Sequence, residues 1–111
     1  MASSIPNKHE FIVLVPDKPN AQAKRLEIRP LHLKNIFPKV KSGTWNMGGA
    51  ILNEVPKGDD ASGFDFAGSA LICHAESKEQ ILEQLREDVY ATEGVWDVDK
   101  AQIYPFICAF R

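Results

Sequence analysis

Three histidines, two cysteines and a scatter of carboxylates are the groups of this 111-residue chain that could move a proton or hold a metal. His32 is the histidine of interest. An imidazole takes and returns a proton near neutral pH, and a carboxylate on its other ring nitrogen fixes the tautomer and stabilises the cation. Asp88, fifty-six positions further on, supplies such a carboxylate. It falls at the expected C-terminal end of a helix, where the macrodipole disfavours negative charge, and that misfit points to a tertiary partner. Taken alone, the residues also allow a plainer reading, in which His32 packs on a helix and Asp88 binds loop amides. His9 and His74, near strand ends, read as solvated surface.

The remaining polar candidates divide by what their neighbours permit. Arg25 is either an anion clamp or a helix arginine paired with Glu27 or Asp17. Ser69 lacks the Gly-x-Ser-x-Gly elbow of a hydrolase nucleophile and reads as a hydrogen-bond donor to a ligand. Tyr90 is either an acid or donor in the same pocket or a partly buried core tyrosine. No HxH or HExxH spacing occurs, so no metal is expected. Gly48-Gly49 is too short for a phosphate loop, and flavin, nicotinamide and haem lack their footprints, so no cofactor is expected. Cys73 and Cys108 lie in apolar stretches without a CxxC and read as buried free thiols. Trp45 and Trp96 read as core or dimer-interface residues.

These groups need elements to position them. Residues 1–8 lack periodicity and are expected to form a loose tail, with a single domain over 9–111. Glu10 to Val15 is an apolar, β-branched run closed by the turn formers from Pro16 to Asn20, hence a strand. Helix formers follow from Ala21, but Pro30 predicts a break or a kink, with Pro30 itself best placed at a first helical position. Leu33, Ile36, Phe37 and Val40 then fall on one helical stripe suited to pack on a sheet, and Pro38 shortens or bends it. Thr44 to Leu52 reads as a strand with the double glycine inside it. Asn53 to Gly63 forms a long polar connection, and Phe64 to His74 a third strand. Ser77 and Gln80 fit a capping box ahead of Ile81, Leu82, Leu85 and Val89, which predicts a second helix. Ala101 to Phe110 closes the chain as a strand, with Pro105 marking an edge or a bulge.

The order β-α-β-β-α-β predicts an α+β, ferredoxin-like domain: an antiparallel four-stranded sheet with two helices on one face. The other face would show Trp45, Met47, Phe64 or Phe66 to water, so dimerisation through the sheet is expected. A content of 44% hydrophobic and 25% charged residues excludes disorder for most of the chain. The formal charge of −2 offers no positive field for nucleic acid. No apolar run is long enough to span a bilayer, and no secretory signal is apparent, so a cytoplasmic location is expected.

Five segments carry a resemblance: Arg25 to Leu33, Gly43 to Gly49, Gly68 to Ile72, Asp88 to Tyr90 with Gly94 to Trp96, and Ile103 to Phe106. In this order and spacing they resemble the successive signatures of the YCII-related domain family. The resemblance implies a dimeric α+β barrel of two ferredoxin-like protomers, a small-molecule pocket and a His/Asp dyad. It also implies kinship with cofactor-free enzymes of ring-compound metabolism, including a dehydrochlorinase. Carried over, the family's histidine falls on His32 and its acid on Asp88. Its basic position falls on Arg25, with Arg29 a second candidate, and its Gly-Ser on Gly68 and Ser69. Gly49 and Tyr90 complete the expected substrate-binding set. Val89 stands where the family commonly has proline, and Ala50 where it commonly has proline after the glycine pair. The function expected is proton transfer or elimination on a small cyclic or aromatic metabolite by a homodimer. The alternative is a non-catalytic dimeric carrier of such a metabolite.

Overall fold

The computed structural model describes residues 8–111; the expected tail, apart from Lys8, lies outside them. β1 (His9–Pro16), α1 (Gln22–Ser42), β2 (Trp45–Leu52), β3 (Phe66–Ala75), α2 (Lys78–Glu87), a short α3 (Val89–Thr92) and β4 (Gln102–Pro105) follow in order, with single 3-10 turns at Ala61–Gly63 and Val98–Lys100. The strands form one sheet in the order β2-β3-β1-β4. Every pairing is antiparallel, as the ferredoxin-like expectation requires.

Strand alternation sets the core. Phe11, Val13 and Val15 of β1 stand opposite Cys73, Leu71 and Ser69 of β3, so these residues share the face beneath the helices. Ile81 and Leu85 of α2 close over them and are fully buried. Each such apolar side chain contributes roughly 1.5–3 kcal/mol by leaving water. The opposite face carries Ile12, Leu14 and Ile72, flanked by Met47 and Tyr104, which are 61% and 48% exposed. Of the four residues expected on that open face, Met47 is exposed and Phe64 half-buried, whereas Trp45 and Phe66 are buried. A bulge between Trp45 and Met47 separates the two: Trp45 opposes Cys73 on the helix side, and Met47 opposes Ile72 on the other.

The first helix departs most from expectation. It runs unbroken through Pro30 and Pro38. Each proline removes one amide donor, and both prolines lie on the exposed side of the helix. The stripe that α1 buries is Arg25, Ile28 and His32, not the apolar series. Leu33, Phe37 and Val40 are 46%, 61% and 49% exposed, and Ile36 alone of the expected stripe packs against the core. Apolar periodicity missed the phase because two of the three buried positions are polar. Gly43 ends α1 at φ 84°, the left-handed conformation that a glycine adopts without strain.

The second helix begins at the expected cap, with Ser77 Oγ accepting from the Gln80 amide. It ends one residue before Asp88, and Asp88 is at once its C-cap and the N-cap of α3. β4 spans four residues rather than ten and lies at the sheet edge, since Pro105 can offer no further ladder donor. Cys73 is fully buried, but Cys108 is only half-buried, beyond Phe106, whose amide makes a last bond to the Glu10 carbonyl of β1. No described helix is long and apolar enough to cross a membrane.

Candidate active site

A cavity of about 380 Å³ opens between α1 and the β2-β3 side of the sheet. That volume lies within the range of roughly 300–1,000 Å³ typical of small-molecule sites. The displaced stripe finds its use here, since Leu33, Ile36 and Val40 form an apolar wall facing the glycine pair of β2. Gly48 gives the opposite wall its depth: a Cβ there would come 2.7 Å from Leu71 Cδ2.

At the inner end, His32 Nδ1 lies 2.7 Å from Asp88 Oδ2, with both side chains buried. An ionised carboxylate can only accept, so Nδ1 carries the hydrogen, and in the neutral imidazole Nε2 then holds the free lone pair. Nε2 has no protein partner among the described residues, and His32 lines the cavity. The imidazole is stacked on Tyr90, with centroids 3.8 Å apart and planes 9° from parallel, and meets Trp96 edge-on at 5.6 Å. Asp88 Oδ2 also accepts the Tyr90 amide at 2.8 Å. The helix end that appeared unfavourable to Asp88 is therefore the start of another helix, where a carboxylate is favoured. Val89 in place of proline does not disturb this, since α3 begins at Val89 itself.

A second polar cluster lies beside the first. Arg25 donates from Nη1 to Asp17 Oδ1 at 2.7 Å and from Nη2 to Ser69 Oγ at 2.8 Å. Its guanidinium sits 4.8 Å from the ring centroids of both Phe66 and Tyr90. Arg25 forms its ion pair with Asp17, in the interior rather than at the surface, while Glu27 pairs with Lys24. Burial raises the Asp17 carboxyl above its ordinary value and outweighs the opposing pull of Arg25. Arg29, one turn later on α1, is exposed at the cavity and makes no ion pair among the described residues. Burial also raises the Tyr90 phenol.

The sequence-derived set thus converges on one cavity: His32, Arg25, Arg29, Ser69, Gly49 and Tyr90 line it, and Asp88 stands behind His32. Trp96 is the residue that sequence reasoning missed. It is 1% exposed, as a core tryptophan should be, yet it lines the cavity and donates from Nε1 to Ser69 Oγ at 3.1 Å. Nothing in the local sequence signals that bond, which joins residues 27 positions apart. His74 is not a solvated surface residue, for it packs at the end of β3 with Nε2 3.8 Å from Glu10. Among the described residues, no three His, Cys, Asp or Glu side chains cluster so as to hold a metal ion.

Known proteins share this architecture. A solved structure of 5-chloro-2-hydroxyhydroquinone dehydrochlorinase from Burkholderia phenoliruptrix, in complex with 2,5-dihydroxybenzoquinone, superposes with a TM-score of 0.72 over 88% of this chain and 93% of that one. At 23% identity, this is a likeness of fold. Aspercryptin biosynthesis cluster protein B of Emericella nidulans is 37% identical over 102 residues, 92% of this chain; the chain spans 65% of that protein's length. Fusaric acid biosynthesis protein 2 of Gibberella fujikuroi is 37% identical over 99 residues, 87% of this chain and 91% of that protein. The YCII-related domain is matched from residue 10 to residue 107, and by that match the chain belongs to the YCII-related domain family.

Proposed function

We propose that the protein is a cofactor-independent enzyme that moves a proton on a small cyclic or aromatic metabolite, in an elimination, isomerisation or related lyase step. The observation that carries this reading is the 2.7 Å contact between His32 Nδ1 and Asp88 Oδ2, with Nε2 left free at a cavity of ligand size. In the proposed step, Nε2 removes a proton from a carbon or hydroxyl of the substrate, and the negative charge moves onto a substrate oxygen. Asp88 stabilises the imidazolium so formed, which then returns its proton to another substrate atom or to a leaving group. Positioned acid–base catalysis of this kind contributes about 10²–10⁴-fold. Tyr90 holds the imidazole plane by stacking, and Arg29 supplies positive charge at the cavity for an anionic substrate or intermediate. The names of the relatives support the substrate class: two are biosynthesis proteins, and the structural neighbour is a dehydrochlorinase bound to a dihydroxyquinone.

In this reading the enzyme works as a homodimer, its partner covering the face that exposes Met47, Ile51 and Tyr104. The two free thiols suit a reducing, cytoplasmic setting.

The test uses 2,5-dihydroxybenzoquinone in deuterated water, with exchange of its ring hydrogens followed by NMR. Exchange above the buffer rate that is lost in both His32→Ala and His32→Gln is the expected result. Exchange equal to wild type in the two variants overturns the role of His32.

A further inference from the structure

The Ser69 hydroxyl has a fixed hydrogen-bond polarity. Its oxygen accepts from Arg25 Nη2 at 2.8 Å and from Trp96 Nε1 at 3.1 Å. Guanidinium and indole nitrogens only donate, and a hydroxyl oxygen has two lone pairs. Both lone pairs are therefore in use, and the one capacity left to Ser69 is its O–H. No described side chain or carbonyl receives that hydrogen, although Ser69 is only 4% exposed. The free space beside it is the cavity, which Ser69 lines.

We infer that Arg25 and Trp96 are positioning residues that lock Ser69 as a one-way donor, so that the cavity selects a ligand oxygen that accepts, a carbonyl or an ionised phenol or enol. An aromatic amine in that place, its lone pair drawn into the ring, would set its hydrogens against the Ser69 hydrogen and leave them unpaired, which is the costly arrangement in a buried site. Arg25 does not itself grip the ligand in this arrangement. Its charge is met by Asp17, and its Nε is buried without a partner.

The same indole that holds Ser69 packs edge-on against His32, with centroids 5.6 Å apart. One rigid side chain therefore ties the acceptor end of the cavity, His32 Nε2, to its donor end, Ser69. The substrate class that satisfies both is a small ring in which a carbonyl or oxyanion is conjugated to an acidic hydrogen, as in a hydroxy-enone or a hydroxyquinone. This inference rests on the cavity being the substrate site; its selection of an accepting oxygen by Ser69 does not depend on His32 acting as the base.

Two dyes of nearly equal shape test it by absorbance titration. One is 4-nitrophenolate, held above the pKa of its own phenol, and the other is 4-nitroaniline. Wild type is expected to favour the phenolate. Ser69→Ala should weaken the phenolate by about tenfold or more while leaving nitroaniline within about twofold, because a hydrogen bond to a charged group is the one removed. Ser69→Thr keeps the hydroxyl and should keep the preference. Trp96→Phe frees one lone pair on Ser69 and should raise nitroaniline affinity relative to phenolate. The inference is overturned if wild type shows no preference, if Ser69→Ala binds phenolate as tightly as wild type, or if Ser69→Ala loses both dyes equally. The dyes are bound and not turned over, so the preference can survive in His32→Gln even where the proposed base role fails.

Discussion

Asp88 meets His32 through the same oxygen, Oδ2, that caps the Tyr90 amide at the start of α3. One carboxylate atom thus fixes the helix turn that carries Tyr90 and orients the imidazole that Tyr90 stacks upon. Asp88→Ala removes both bonds, and a loss of about 1–3 kcal/mol in urea unfolding is expected. Asp88→Asn can set its carbonyl oxygen where Oδ2 stood and keep both donors satisfied. That variant should unfold within about 1 kcal/mol of wild type while its deuterium exchange rate falls by roughly tenfold or more, because the imidazolium has lost its counter-charge. Equal exchange rates in Asp88→Asn and wild type would remove charge stabilisation from the proposed mechanism.

Two glycines near the site should respond oppositely to alanine. A Cβ on Gly68 would sit 2.4 Å from the Val15 carbonyl oxygen, so β1 and β3 pack against a hydrogen there and nothing larger. Gly68→Ala is expected to destabilise by about 1–3 kcal/mol, the usual range for overpacking. A Cβ on Gly49 meets nothing within 4 Å. Gly49→Ala should stay within about 0.5 kcal/mol of wild type, as open surface positions do. Urea midpoints of the two variants, measured together, check the contrast.

The two thiols should differ in reactivity. Burial pushes the Cys73 thiol up to about 12, from an ordinary 9.0. A disulfide dye should therefore titrate one thiol, Cys108, in the native protein at neutral pH, and both in denaturant. The same shift predicts alkaline behaviour. Between those two values the unfolded chain has released the Cys73 proton while the folded chain keeps it, so the contribution of this thiol to stability declines as pH rises from about 9. Cys73→Ala should flatten that part of the stability curve, after allowance for its constant cavity penalty. Rapid native labelling of two thiols would contradict the burial of Cys73.

Pro30 should be dispensable for the helix that contains it. It lies exposed in the interior of α1 and withholds an amide hydrogen from the Leu26 carbonyl one turn back. Pro30→Ala restores that bond and is expected to raise stability by about 1–3 kcal/mol. A thermal melt decides the matter. A lower midpoint would show that the proline, through its effect on the path of α1, supports the packing of Arg25 and His32.

The sequence by itself determined the order of the main elements, because strand propensity, helix caps and turn chemistry act over a few residues. The Ser77 cap and the boundaries of β1 and β2 were legible for the same reason. The resemblance of short segments named His32, Asp88, Arg25 and Ser69 as a group. What local pattern could not supply was the phase of α1. Its buried stripe contains an arginine and a histidine, whose burial is tolerated only because Asp17, Ser69 and Asp88, brought from three other places in the chain, supply their partners. Tertiary structure also decided that Asp88 starts a helix as well as ending one, and that Trp96 shares in the polar network. A buried polar group is defined by what it pairs with, and those pairings span up to 56 positions here, far beyond the reach of any periodicity.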